Sequence, residues 1–238
     1  MRIIIASQPK TGNVWIRRLL AEIYGLADLN ESLDDKIPKN GVAFFHFVEQ
    51  GLFPDDSIIQ EHYFPNPTRV IKPARKIGAR LVTMLRNPYD AFVSFFHYVN
   101  NFPERFTKNP ASVLIGKTID HPDVLGYVED HFREHLKLSL KWVQSGASII
   151  IRYEDLLADP VVTLEELTGL IHSVERCRIE EVVGGNSADR MKAQGGWLAK
   201  HVRSGSVGDW KTQLSEAHIE AFRRCHGDTI RFIGYAVY

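Results

Sequence analysis

One strand-to-helix turn near the start constrains this chain more than any other segment. Arg2 to Ser7 (RIIIAS) is a short β-branched run that reads as a buried strand, and from Val14 to Tyr24 apolar residues recur at helical spacing. The turn between them is Gln8-Pro9-Lys10-Thr11-Gly12-Asn13. A strand that runs through a tight glycine turn into a helix N-terminus aims several backbone N–H groups, and the positive helix end, at one point. Lys10 adds a full charge there, so a phosphate is the natural occupant. The loop is not a Walker A sequence. G-x-x-x-x-G-K-[ST] puts Lys after the second Gly and a Mg²⁺-binding hydroxyl next, whereas Lys10 precedes Gly12. For this loop alone the plainer alternative is an ordinary βα turn with a surface lysine.

The remaining elements alternate in the same way. Ser57 to Glu61, Arg80 to Leu85 and Ala147 to Arg152 read as further strands, each with a helix-like segment after it. Pro88 to Tyr98 is a helix with proline in its first turn, and Asp130 to Gln144 is amphipathic. Thr163 with Glu166 makes a capping box for a helix reaching about Ile171, and Ser215 to Phe232 is a closing helix. Such alternation predicts an α/β fold, a mainly parallel sheet with helices on both faces. At 238 residues and 44% hydrophobic content, a single domain is expected. Segments 30–56 and 100–126 hold Pro, Gly and Asn without clear periodicity, as substrate lids or binding loops do.

Lys and Arg number 29, as do Asp and Glu, so no global field draws the chain to nucleic acid or an anionic membrane. An anion site must be a local cluster. Cys177 and Cys225 are too few for a disulfide framework and lack metal-ligand spacing, which suits a reducing compartment and implies no metal. No run of roughly 18 apolar residues is present to span a membrane, and the N-terminus does not read as a leader, so the expected location is the cytoplasm.

Two more clusters could bind anions. Arg86 leaves the strand ending at Leu85, and Ser94 lies two helical turns along the next helix, so a guanidinium fork and a hydroxyl could converge. The alternative pairs Arg86 with a carboxylate such as Asp90 and assigns Phe92, Phe95 and Phe96 to core packing. Val202-Arg203-Ser204-Gly205-Ser206-Val207-Gly208-Asp209-Trp210-Lys211 is a Gly-rich basic loop that could fold over a phosphate or be a plain surface loop.

Taken together, PKTGNVW, RNPYDAFVSFFHY and RSGSVGDWK, with Arg152-Tyr153-Glu154-Asp155-Leu156 before the last, resemble the sulfotransferases that use 3′-phosphoadenosine 5′-phosphosulfate (PAPS). The resemblance runs from the first strand to Lys211. It implies a P-loop-kinase-like sheet and a role for each matching position. Lys10, Thr11, Gly12, Asn13 and Val14 would cradle the 5′-phosphosulfate, and Trp15 would stack on the adenine, which Tyr153 would also reach. Arg86, Ser94, Arg203 and the backbone of Ser204 and Gly205 would bind the 3′-phosphate. His62, in Gln60-Glu61-His62-Tyr63-Phe64-Pro65, falls where the family shows K-T-H-x-P, and would be the base that deprotonates the acceptor hydroxyl. Lys10 and the amides of Gly12 to Val14 would stabilise charge on the departing 3′,5′-adenosine bisphosphate (PAP) without a metal.

Departures from the family pattern are equally informative. Its lysine two residues before the histidine is Gln60 here, and Lys72, Arg75 or Lys76 would have to supply the missing charge unless they only decorate a solvated helix. Asn186 and Ala188 replace a Thr and an aromatic in the family's T-S-F-x-x-M-K segment. Asn13 and Val14 replace a Thr pair, which removes two hydroxyls from the phosphosulfate. Glu216 stands where the K-x-x-x-T-V-x-x-x-E dimer motif has Val, so that dimer is not expected. These features are similar to those of bacterial small-molecule sulfotransferases. A P-loop kinase and a nucleotide-binding protein with a decayed site are the competing readings. For the acceptor, Phe44, Phe45, Phe47, Phe53, Phe64, Phe102 and Phe106 would suit a hydrophobic phenol or alcohol, or would simply close the core.

Overall fold

Strands β1 (Arg2–Ala6), β2 (Ala27–Asp28), β3 (Ser57–Glu61), β4 (Arg80–Leu85) and β5 (Ile149–Arg152) form one parallel sheet in the order β2-β3-β1-β4-β5. The computed structural model describes residues 1–33, 36–186, 190, 193 and 205–238. In chain order the helices used below are α1 (Asn13–Tyr24), α2 (Leu29–Ser32), α3 (Gly41–Glu49), α4 (Ile71–Lys76), α5 (Pro88–Asn101) and α6 (Pro122–Asp130). They continue with α7 (Arg133–Ser145), α8 (Tyr153–Ala158), α9 (Pro160–Ile171), α10 (Arg176–Gly185), α11 (Trp210–Gln213) and α12 (Glu216–Phe232).

The unbroken apolar run of β1 follows from burial on both faces of the sheet. Ile3 and Ile5 enter a core with α1, α8, α9 and α10, while Ile4 and Ala6 enter one built by α3, Val70, Ala74 and Trp142 of α7. Aromatic residues of α5, α6 and α12 make a third cluster, in which Phe92, Phe95 and Phe96 are buried. These three phenylalanines are therefore core, the simpler of their two readings.

β1 lies between β3 and β4, so the chain builds one side of the sheet before crossing to the other. The loops after β1, β3 and β4 thus open together at the C-terminal edge, where the strand order reverses and ligands of open α/β sheets bind. The expected α/β fold is present, and β3 and β4 have their expected bounds.

Several local expectations are corrected. The two-residue edge strand β2 is too short to leave a pattern in the sequence. Thr163 does not cap α9: Asp159 does, accepting from Val162 N–H at 3.1 Å ahead of Pro160, so Thr163 lies inside the helix. The helix expected from Asp130 to Gln144 is α7, which starts three residues later, at Arg133; a separate helix, α6, ends at Asp130. Segments 30–56 and 100–126 are not irregular throughout. α3 is capped by Asn40 and buries Phe44, Phe47 and Val48 on one stripe; the adjacent exposed Phe45 and Val42 obscure that period in the sequence. Among the described residues, no helix is long and apolar enough to cross a membrane.

Candidate active site

The first loop is held rigid by its own side chains. Thr11 Oγ1 and Asn13 Nδ2 both donate to the Gln8 carbonyl, at 3.0 and 2.9 Å, and Gln8 Oε1 accepts from Ser139 of α7 at 2.9 Å. The polar groups of Thr11 and Asn13 are thus spent on loop geometry, which leaves the backbone as the anion-binding element. The N–H groups of Gly12, Asn13 and Val14 donate to no described backbone carbonyl. Lys10 and Gly12 both have positive φ, 67° and 95°. At Gly12 a side chain is excluded twice over: by that φ, and because a Cβ would lie 2.6 Å from Tyr153 Cδ2.

Arg86 sits at the centre of the cluster. Its side chain is buried, its Nη1 donates to the Lys10 carbonyl at 3.1 Å, and its Nη2 donates to the Ser206 carbonyl at 3.0 Å. One guanidinium therefore joins the first loop to the Gly-rich C-terminal loop. Its face lies 4.4 Å from the Tyr153 ring centre, a cation–π pair, and its Nε is buried without a hydrogen-bond partner among the described residues. Asp90 does not serve as the expected partner of Arg86. It accepts from the N–H groups of Gly208 (2.8 Å) and Trp210 (3.2 Å), fastening the C-terminal loop to the start of α5.

Trp15 donates its indole N–H to the Asn186 carbonyl at 3.1 Å and meets Tyr153 edge-on at 6.2 Å. Burial raises the Tyr153 phenol above its ordinary pKa, with Arg86 pulling the other way. Ser94 is half-buried on α5, and Gly205 opens the described part of the C-terminal loop. Arg203, Ser204 and Ala188 lie outside the described residues. The Lys10 ammonium rests 4.3 Å from the Tyr98 ring centre, and Tyr98 packs against Phe102 and Phe106 at 5.0 and 5.6 Å.

His62 follows β3 directly. The register that places Ala6 beside Glu61 brings the next residues, Ser7 and His62, together. His62 Nδ1 lies 2.7 Å from the Ser7 carbonyl oxygen. A carbonyl can only accept, so Nδ1 carries a proton, and in the neutral tautomer this selects, Nε2 presents its lone pair. Phe64 lies 6.4 Å from the His62 ring.

Two residues here were not singled out from the sequence. His135 of α7 is buried among Phe95, Phe132 and Phe64, its Nδ1 without a partner among the described residues; burial, then the neighbouring His62, push its pKa down to about 3. Its signal was the polar i, i+4 pair His135 and Ser139 on the apolar stripe of Leu138 and Trp142. Arg17 is buried on α1, its Nε 2.9 Å from Asp28 Oδ2 and its Nη1 donating to Gln60 Oε1 at 3.3 Å. Its place on the buried stripe with Asn13 and Leu20 was readable from helical spacing. Lys72, Arg75 and Lys76 are exposed on α4, and Lys76 pairs with Glu49.

Comparison with known proteins places these features. The family model described as Sulfotransferase domain matches residues 1–231. Sulfotransferase 6B1 of Mus musculus is 25% identical over 272 residues, covering 99% of this chain and 81% of its own length. Cytosolic sulfotransferase 15 of Arabidopsis thaliana is 26% identical over 254 residues, covering 92% and 68% respectively. In fold, the chain is similar to mouse sulfotransferase SULT7A1, solved in complex with PAP: TM-score 0.73 at 19% identity, over 97% of this chain and 84% of the other.

Proposed function

The chain belongs to the sulfotransferase family, and from that premise we propose that it moves the sulfonate of PAPS to the hydroxyl of a small-molecule acceptor, with His62 as general base. The observation that carries this reading is the His62 tautomer, fixed with Nε2 open by the Ser7 carbonyl. A base must have its lone pair free before it can take a proton.

The residues fit the donor. Glycine at position 12 lets Tyr153 and Met84 close against the turn, and the amides of Gly12 to Val14 are open to an anion. In this reading Lys10, Thr11, Gly12, Asn13 and Val14 form the phosphosulfate cradle. Arg86, Ser94, Arg203, Ser204 and Gly205 hold the 3′-phosphate, and Trp15 and Tyr153 face the adenine. The 3′-phosphate is what separates PAPS from ATP, so a second anion site has a purpose in the same chain.

In the reaction His62 Nε2 takes the acceptor proton as the acceptor oxygen bonds to sulfur. The bond from sulfur to the bridging phosphate oxygen breaks, and PAP leaves with its charge stabilised by Lys10 and the loop amides. Phe64 beside His62, and Tyr98, Phe102 and Phe106 beside Lys10, give a phenol or alcohol an apolar surface. The exposed free thiols Cys177 and Cys225 suit the reducing cytoplasm.

Transfer of label from [³⁵S]PAPS to a panel of phenols and alcohols is the test. Labelled product from the wild type, lost in His62→Ala, supports the reading. Equal turnover by the variant contradicts His62 as base, and no product from any acceptor contradicts the activity.

A further inference from the structure

Between Glu61 and Asp90 the chain carries no acidic residue, yet Arg69, Lys72, Arg75, Lys76 and Arg80 fall in that stretch. All five are exposed, on the turn Pro67–Val70, on α4 and at the start of β4. Among the described residues only Lys76 of the five is in an ion pair, with Glu49 at 2.7 Å. The zero net charge of the whole chain conceals this local row.

Helix α3 lies along the row. A Cβ on Gly41 would clash with the Arg69 Cβ, and Glu49 at the other end of the helix reaches Lys76, so the two contacts set α3 beside the row from end to end. Val42 and Phe45 share the helix face of Glu49, at i, i+3 and i+7, and so stand between the two contacts. Both are exposed, at 50% and 43%, and Leu52 just past the helix is exposed too. On the other flank of α3 a groove is lined by Lys36, Lys39 and His46. Lys39 lies 3.4 Å from Glu61, and Asp34 and Asp35 beside Lys36 are outside the described residues, so the row along α4 supplies the charge.

This pairing of apolar and cationic side chains selects the partner. A soluble polyanion would meet the cations and leave Val42 and Phe45 in water. The boundary between anionic headgroups and acyl chains takes both, because long Lys and Arg stems keep their charge among headgroups while apolar side chains go deeper. We propose that α3 and the row from Arg69 to Arg80 form a docking face for an anionic lipid bilayer. Val42 and Phe45 enter the interface, and Arg69, Lys72 and Arg75 hold the headgroups. The face does not depend on the transfer reaction, so its test reads binding rather than turnover.

The experiment is vesicle flotation of the protein at low and high salt, with pure phosphatidylcholine and with phosphatidylcholine containing about 30% phosphatidylserine. The wild type is expected to float with the phosphatidylserine vesicles at low salt, to stay behind with pure phosphatidylcholine, and to be released by salt. Arg69→Gln/Lys72→Gln/Arg75→Gln is expected to weaken that binding about a hundredfold. Removing three cations from α12 instead, in Arg223→Gln/Arg224→Gln/Arg231→Gln, is expected to change it by less than about threefold. Phe45→Ser is expected to weaken it about tenfold and leave the salt dependence as it was. These are exposed positions, and an unchanged urea midpoint shows that each variant is folded. A wild type that floats with neither vesicle or equally with both, the two triple variants behaving alike, or full binding by Phe45→Ser overturns the proposal. Tighter binding to duplex DNA than to vesicles, indifferent to Phe45→Ser, overturns it as well and assigns the row to a soluble polyanion.

Discussion

His62 Nδ1 and the Ser7 carbonyl oxygen lie 2.7 Å apart, joining the residue after β3 to the residue after β1. The contact orients the ring and fixes its tautomer through the backbone alone. Replacing His62 by Ala is expected to lower sulfonate transfer by about 10²–10⁴ while PAP affinity stays within a few-fold. Steady-state turnover with labelled donor, alongside calorimetry, checks this. A matching loss of PAP binding would assign His62 to donor binding instead.

Gly12→Ala probes the cradle. The new Cβ would meet Tyr153 Cδ2 at 2.6 Å and Met84 Cε at 3.0 Å, on a backbone with φ of 95°. A loss of about 1–3 kcal/mol in urea unfolding is expected from the backbone conformation alone, with weakened PAP binding. In a Tyr153→Ala background the Tyr153 clash is gone but the φ is not, so Gly12→Ala should still lower stability relative to Tyr153→Ala alone. No loss in that background would show that the conformation itself costs nothing.

Asp90 is expected to matter through the loop it fastens. Asp90→Asn keeps the shape but weakens acceptance from Gly208 and Trp210 N–H, a loss of about 1–2 kcal/mol. Limited proteolysis should cut sooner near residues 205–209, and PAP should bind more weakly. Unaltered proteolysis and affinity would show that the loop is held by other means.

Acid stability should report His135. An unfolded histidine binds its proton near 6.5, whereas the folded His135 is pushed down to about 3 by burial and then by His62. Between those values the unfolded chain holds a proton that the folded one does not. Stability therefore falls as pH falls through that window, at up to about 1.4 kcal/mol per pH unit. His135→Phe should flatten the urea-midpoint profile between pH 6.5 and 4, with His218 and His226, also lowered by burial, retaining part of the slope. An unchanged slope would mean that the buried imidazole is not the group responsible.

Legibility from sequence tracks how local each signal is. The β1 strand, the glycine turn and α1 announce themselves because strand, turn and helix preferences are adjacent in the chain. Arg86 could be placed at a strand end, but its partners, the carbonyls of Lys10 and Ser206, are 76 and 120 residues away. Backbone carbonyls leave no trace in side-chain identity, so Asp90 was the natural partner to expect. Arg17 illustrates the same limit. Helical spacing places it on a buried stripe, yet only the short strand β2 brings Asp28 to it, and that strand is two residues long.

The most direct test of a site that reads phosphate at both ends of the nucleoside is a calorimetric comparison of PAP, 5′-AMP and ATP with magnesium on the wild-type protein. The expected result is tight binding of PAP, with AMP weaker by tenfold or more, an extra charge-assisted phosphate contact at about 1.4 kcal/mol per decade, and ATP weak as well. ATP with magnesium binding as well as PAP, or PAP binding no better than AMP, would contradict the 3′-phosphate site and the sulfotransferase reading built on it.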